Sequence, residues 1–217
     1  MNPSTKPRTA LLHGFAIDAE FSRFRPALGA DAGFEAFRDE VAKGEVSVFR
    51  WGIPKRFALW QIVSLGSILN LYRAEERRAA DPEWQQKLFR FLEDGQIETV
   101  VCHSLGCRFL LDTINRFGAP ASLKKIVFVQ ADIAQNQAVT DQNTINRLHD
   151  GSLKLVNVYC AWDKNLIASS ILTGRMRYGM AKVIRPNVEN VFMPLKTLPN
   201  LHTCSIKSKE LHEFILR

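Results

Sequence analysis

The chain has 217 residues, 46% hydrophobic and 24% charged. That balance belongs to a globular domain with a sizeable core and excludes a disordered or fibrous chain. The net charge of +7 favours anionic surfaces or substrates, but the cations are scattered without interleaved aromatic residues, which argues against nucleic-acid binding.

In chain order, residues 1–8 read as a flexible N-terminus, and no apolar h-region follows them, so no secretory signal is expected. Thr9-Ala10-Leu11-Leu12 is a short buried strand that exits at His13-Gly14-Phe15. Ala27 to Val41 fits a helix, with breaks at Gly29 and Gly33. Val46 to Trp51 is the next strand, stopped by Gly52 and Pro54. Phe57 to Tyr72 is uncharged and apolar nearly all round, the mark of a buried or covering helix, and falls short of the roughly 20 residues that span a bilayer. Around it, residues 55–80 offer a cap-like helical segment as the alternative to a core helix. Glu75 to Leu92 reads as one helix or two, with Asp81 as N-cap, Pro82 at the first helical position and Gly95 as C-cap.

Thr99 to Cys102 is a buried strand; His103-Ser104-Leu105-Gly106 turns; and Leu105 to Phe117 is a helix. A Ser at the tip of such a turn is a nucleophile elbow. Its neighbours must be small where strand and helix meet, and Gly106 meets that need, while Cys102 stands where the motif has its first Gly. The Leu105 amide opens the helix, where unpaired N–H groups favour an oxyanion. Lys125 to Gln130 is a strand closing at Ala131-Asp132, Gln137 to Leu148 a polar helix, and Leu153 to Cys160 a strand closing at Ala161-Trp162-Asp163. Arg175 and Arg177 read as a solvated basic loop, with an anion-binding loop as the alternative. Val188 to Met193 is the last strand, His202 lies in the loop after it, and Lys207 to Leu216 closes the chain as a helix.

Strands alternating with helices predict an α/β fold with a mainly parallel sheet and helices on both faces. No linker or repeat divides the chain, so 1–217 is expected to be a single domain with little or no separate cap. His13-Gly14, Ser104, Asp132, Asp163 and His202 all fall at carboxyl ends of strands, where such sheets collect functional residues. Cys102, Cys107, Cys160 and Cys204 form no CxxC pair and read as reduced thiols of a cytoplasmic protein, with neither a disulfide frame nor a metal site.

Ser104, Asp163 and His202 occur in the order Ser, acid, His, each after a later strand. With Leu12-His13-Gly14-Phe15, Phe49-Arg50-Trp51-Gly52, Val129-Gln130-Ala131-Asp132-Ile133 and Tyr159-Cys160-Ala161-Trp162-Asp163, the sequence resembles the α/β-hydrolase superfamily from Thr9 to the C-terminal helix, and within it a branch of small bacterial serine esterase- and lipase-like proteins. The resemblance implies an α/β-hydrolase fold and a serine hydrolase acting on a small-molecule acyl ester or thioester without a cofactor. By position, Ser104 would be the nucleophile, His202 the base and Asp163 the acid, with Asp132 as alternative acid or as a helix cap. Phe15 and Leu105 would supply the oxyanion-hole amides. His13 and His103 orient their loops, His149 lies at the wrong edge, and His212 belongs to the closing helix. A lipase-like enzyme using Phe57 to Tyr72 at membranes, and a non-catalytic binding protein on the same scaffold, are the competing readings. Membrane contact is not favoured, and the sequence leaves substrate and oligomeric state open.

Overall fold

Apolar, β-branched runs become the strands of one sheet, as period and burial require. The computed structural model describes residues 8–15, 32–52, 65–185, 187–193 and 205–216. His202, Cys204, the N-terminal residues 1–7 and the 57–64 part of the apolar segment lie outside them. The strands are β1 (Thr9–Leu12), β2 (Val46–Phe49), β3 (Thr99–His103), β4 (Lys125–Val129), β5 (Lys154–Tyr159) and β6 (Val188–Phe192). All pair in parallel, in the order β2-β1-β3-β4-β5-β6.

The helices are α1 (Arg38–Lys43), α2 (Leu65–Ala80), α3 (Pro82–Asp94), α4 (Leu105–Phe117), α5 (Gln142–His149), α6 (Lys164–Thr173) and α7 (Lys209–Leu216). They cover both faces of the sheet. Alternate strand residues point to opposite sides. Ala10, Leu12, Val100, Cys102, Ile126 and Phe128 join one apolar cluster with Leu88, Leu92, Phe109 and Leu110 from α3 and α4. Leu11, Val101, Val127, Val156 and Val158 join the other with Phe37, Leu211 and Ile215. Among the described residues no helix is long and apolar enough to cross a membrane.

Several element boundaries differ from the sequence reading. Of the helix expected over 27–41, residues 27–31 lie outside the described residues; the expected break at Gly33 (φ 89°) is present, and a 3-10 turn at Glu35–Phe37 leads from it into α1. The helices expected to divide between Tyr72 and Glu75 run through as α2, because nothing breaks the chain until Asp81-Pro82. Asp81 does cap α3, its carboxylate accepting the Glu83 amide at 2.8 Å. At the other end Gly95 stays right-handed and Gln96 takes the left-handed residue (φ 50°). The polar helix starts at Gln142, not Gln137, because Asp141 accepts the Thr144 amide at 2.8 Å. Helix α6, between β5 and β6, is absent from the sequence reading.

The sheet order has a switch point. From β1 the chain moves outward to β2, then returns to lay β3 on the other side of β1. In open α/β sheets the crevice for a ligand lies at the carboxyl ends of the two strands flanking that reversal. Here those ends carry His13-Gly14-Phe15 after β1 and His103-Ser104 after β3.

Candidate functional site

Ser104 joins the last residue of β3 to the first of α4 at φ 51° and ψ −122°. A non-glycine residue avoids this region, which costs about 1–3 kcal/mol and persists only where the surroundings enforce it. They do so here. The Ser104 amide donates to the Val129 carbonyl at 3.1 Å, and the Ser104 carbonyl accepts from the Cys107 and Asp132 amides, both at 3.1 Å. The side chain is nearly buried, 5% exposed.

The turn also demands space. A Cβ on Gly106 would stand 2.4 Å from the His13 carbonyl oxygen, and one on Gly14 would stand 2.7 Å from Ser104 Cβ. The loop after β1 is thus pressed directly onto the elbow, and only glycine fits on both sides of that contact. Cys102, at the motif's first Gly position, is accommodated: its side chain is fully buried in the cluster under α4. Burial raises the Cys102 thiol well above its ordinary pKa, with the neighbouring Cys107 thiol adding to the shift, and burial raises Cys107 likewise. Both stay protonated and are poor nucleophiles. Cys102, Cys107 and Cys160 are free and buried.

The two motif histidines lie beside the elbow. His13 stacks on Trp51 (ring centroids 5.6 Å, 16° between planes). Its Nε2 accepts the Trp51 amide at 3.2 Å and its Nδ1 lies 2.8 Å from the Gly14 carbonyl, so the two partners select the Nδ1–H tautomer. Trp51 Nε1 donates to the His13 carbonyl at 2.9 Å, which ties the ends of β1 and β2 together. His103 is 6% exposed and meets Phe34 edge-on. The Phe15 ring stands edge-on to Tyr72, 5.8 Å between centroids. His212 sits on α7 against Phe37, with Nε2 2.9 Å from Glu40 Oε1. His149 ends α5, on the approach to the amino end of β5.

The two candidate acids have different surroundings. Asp163 follows β5 and is fully buried. It caps α6: Oδ1 accepts the Asn165 and Leu166 amides at 3.0 and 3.2 Å, and Oδ2 accepts from Gln130 Nε2 at 2.7 Å. Asp132 follows β4 and is 2% exposed. It is not a helix cap. Its Oδ1 accepts from Ser169 Oγ and faces Arg177 Nε, each at 2.9 Å, and its Oδ2 accepts from the Tyr72 hydroxyl. Burial, then the Asp132 charge, pushes the Tyr72 phenol far above its usual range and keeps the proton on it.

Arg177 corrects the sequence reading of a solvated basic loop. Its side chain is 4% exposed and paired with Asp132, whereas Arg175 is exposed. The segment around Arg177 straps onto the loop after β4. Tyr178 donates its amide to the Ile133 carbonyl at 2.9 Å, and Gly179 donates to Ala131 at 3.0 Å. Tyr72 and Ser169 carry no recognisable motif, and the sequence gives Gln130 no role of its own, so none of the three is singled out there. Gln130, one position past β4, is another non-glycine residue at positive φ (46°).

No protein-family model and no curated protein matches the chain. Among solved structures it is similar to an uncharacterized protein from Bacillus cereus ATCC 10987, whose crystal structure was determined at 2.75 Å resolution. The two are 12% identical with a TM-score of 0.50, and the match covers 99% of this chain and 61% of that one. At that identity the likeness speaks for the shared α/β architecture alone.

Proposed function

We propose that this protein is a serine hydrolase that cleaves a carboxylic ester or thioester of a small molecule through an acyl-enzyme. One observation carries the reading: Ser104 is held in strained backbone at φ 51°, between a parallel strand and a helix N-terminus, at the switch point of the sheet. Strain at a buried Ser, enforced by two close-packed glycines, fits an oxygen presented to a substrate better than it fits an ordinary connection.

In this reading Ser104 Oγ attacks the substrate carbonyl carbon while His202 takes the hydroxyl proton. The carbonyl π pair moves onto oxygen, and the resulting oxyanion is met by the amides of Leu105 and Phe15. Collapse expels the alcohol or thiol, which receives the proton from His202. Water then repeats the sequence on the acyl-enzyme and frees Ser104. Asp163 holds the imidazole in the tautomer that accepts the Ser104 proton. The pairing of Asp132 with a buried cation, Arg177, supports Asp163 over Asp132 in this role. The steps require neither metal nor cofactor, and the absence of a disulfide among the described residues supports a cytoplasmic placement.

A fluorophosphonate probe tests the reading. Wild type should be labelled and Ser104→Ala should not, and a panel of p-nitrophenyl esters of rising acyl length should be hydrolysed by the former only. An unlabelled, folded wild type that turns over none of the esters would leave the scaffold as a binding protein.

A further inference from the structure

A second site lies away from Ser104, on the face of the sheet covered by α4 and α5. A cavity of about 210 Å³ opens there. Its floor is Leu111 of α4 with Phe128 and Leu155 of the sheet; Ile145 and Leu148 of α5 form one wall and Val183 the other. The floor and Val183 are core residues, 2 to 7% exposed. Leu148 of α5 packs against this core, but it and Ile145 are only partly buried, and Thr144 is the one fully buried side chain of the helix. The apolar stripe of α5 therefore borders both the core and the opening. An apolar void of about 150 Å³ is enough to take up a benzene ring.

The mouth of the cavity is polar and cationic. Arg185, His149 and Asn187 line it, and no Asp or Glu does. Arg185 Nη2 donates to the Gln135 and Gln137 carbonyls at 3.3 and 3.1 Å, which fixes the guanidinium at the rim. No carboxylate pairs with it among the described residues. The Tyr178 hydroxyl donates to the same Gln137 carbonyl. His149 Nδ1 lies 3.4 Å from Asn187 Nδ2, bridging α5 to the start of β6 across the opening.

We propose that this cavity binds a small amphipathic carboxylate: an apolar body about the size of one six-membered ring between α5 and the sheet, and a carboxylate at Arg185. The body displaces water from apolar walls, which is favourable in proportion to the area covered. The headgroup meets a guanidinium held in place by two backbone carbonyls, and a charge-assisted pair so pre-organised discriminates strongly against a neutral head. The inference does not depend on the activity of Ser104.

The experiment is a titration of methyl-labelled full-length protein with phenylacetate, followed by NMR at the Ile145, Leu148 and Val183 methyls. Saturable shifts at these three methyls are expected, while those of Leu11 and Val101 on the opposite face stay still. Arg185→Gln should weaken phenylacetate about tenfold, and uncharged 2-phenylethanol should bind wild type about tenfold more weakly than phenylacetate does. Ile145→Trp, which fills the cavity, should abolish the Leu148 and Val183 shifts; unchanged Leu11 and Val101 resonances verify its fold. Methyls that stay unmoved at millimolar phenylacetate overturn the site. Binding of 2-phenylethanol as tight as phenylacetate, or indifference to Arg185→Gln, overturns the carboxylate assignment.

Discussion

The loops after β4 and β5 each carry a buried aspartate, and the two aspartates have contrasting partners. Asp132 faces a full positive charge, Arg177, and accepts from two hydroxyls. Among the described residues Asp163 accepts from two helix amides and a carboxamide, which are neutral dipoles. The proposed division of roles between the two carboxylates rests on that distinction. An ion pair in the interior is compensated locally, and its charge is committed to the partner that lies against it. A carboxylate solvated by dipoles keeps its negative charge and projects it, which is what an imidazolium partner needs. Gln130 Nε2 and the α6 N-terminus also fix the direction in which Asp163 points. So Asp132 joins elements: α2 through Tyr72, α6 through Ser169, and the strap through Arg177. Its own amide meanwhile supports the Ser104 carbonyl.

The largest expected effect separates the two on activity. Asp163→Asn should lower kcat on a p-nitrophenyl ester by about 10⁴-fold, because the base then rests in the wrong tautomer. Its urea midpoint should move little, since an Asn still caps α6. Asp132→Asn should do the reverse. Removing one partner of a buried pair leaves Arg177 uncompensated and costs about 3–5 kcal/mol of stability, read as a lowered urea midpoint at unchanged slope. Turnover per folded molecule should fall much less than for Asp163→Asn. Adding Arg177→Met to Asp132→Asn should recover much of the lost stability, because the double variant buries no lone charge. Activity lost in Asp132→Asn but kept in Asp163→Asn would reverse the comparison and move the acid to the earlier loop.

Much of this frame is legible in the chain because the strands are short β-branched runs with breakers close behind. The elbow is legible for a related reason: a strand period changes to a helix period across His103-Ser104-Leu105-Gly106, and Gly106 marks the close contact. The sequence also shows Asp163 after a strand, but not that it caps a helix, because the α6 segment Lys164–Thr173 is a mixture of small and apolar residues without a polar face. Arg177 reads as solvated because its partner is on another loop, and no local pattern encodes a pair made by tertiary packing. Tyr72 and Asp132 stand 60 positions apart for the same reason. The left-handed backbone of Gln130 is imposed by its neighbours and is invisible in its residue type. Asp141 is a readable signal that the reading of a helix from Gln137 passed over: an Asp ahead of a polar helix marks its N-cap, and α5 starts just after it.

The smallest expected effect concerns the tie between Asp132 and α2. Tyr72→Phe removes a hydrogen bond to a carboxylate and should cost about 1.5–3 kcal/mol at neutral pH. Its pH dependence identifies the cause. Burial and the Asp132 charge raise the phenol pKa in the folded protein far above the unfolded value of about 10. A raised folded pKa means the folded state holds the proton more tightly, so the stabilisation is complete below pH of about 10 and is lost as pH rises toward the folded pKa. The gap in stability between wild type and Tyr72→Phe, measured by urea unfolding, should therefore be flat from pH 7 to 9 and narrow from about pH 10 upward. The buried thiols of Cys102 and Cys107 also favour the protonated folded state, but they are common to both proteins and cancel in the difference. A gap that stays constant through pH 11 would mean that the hydroxyl contributes packing alone and that Asp132 does not anchor α2 through its charge.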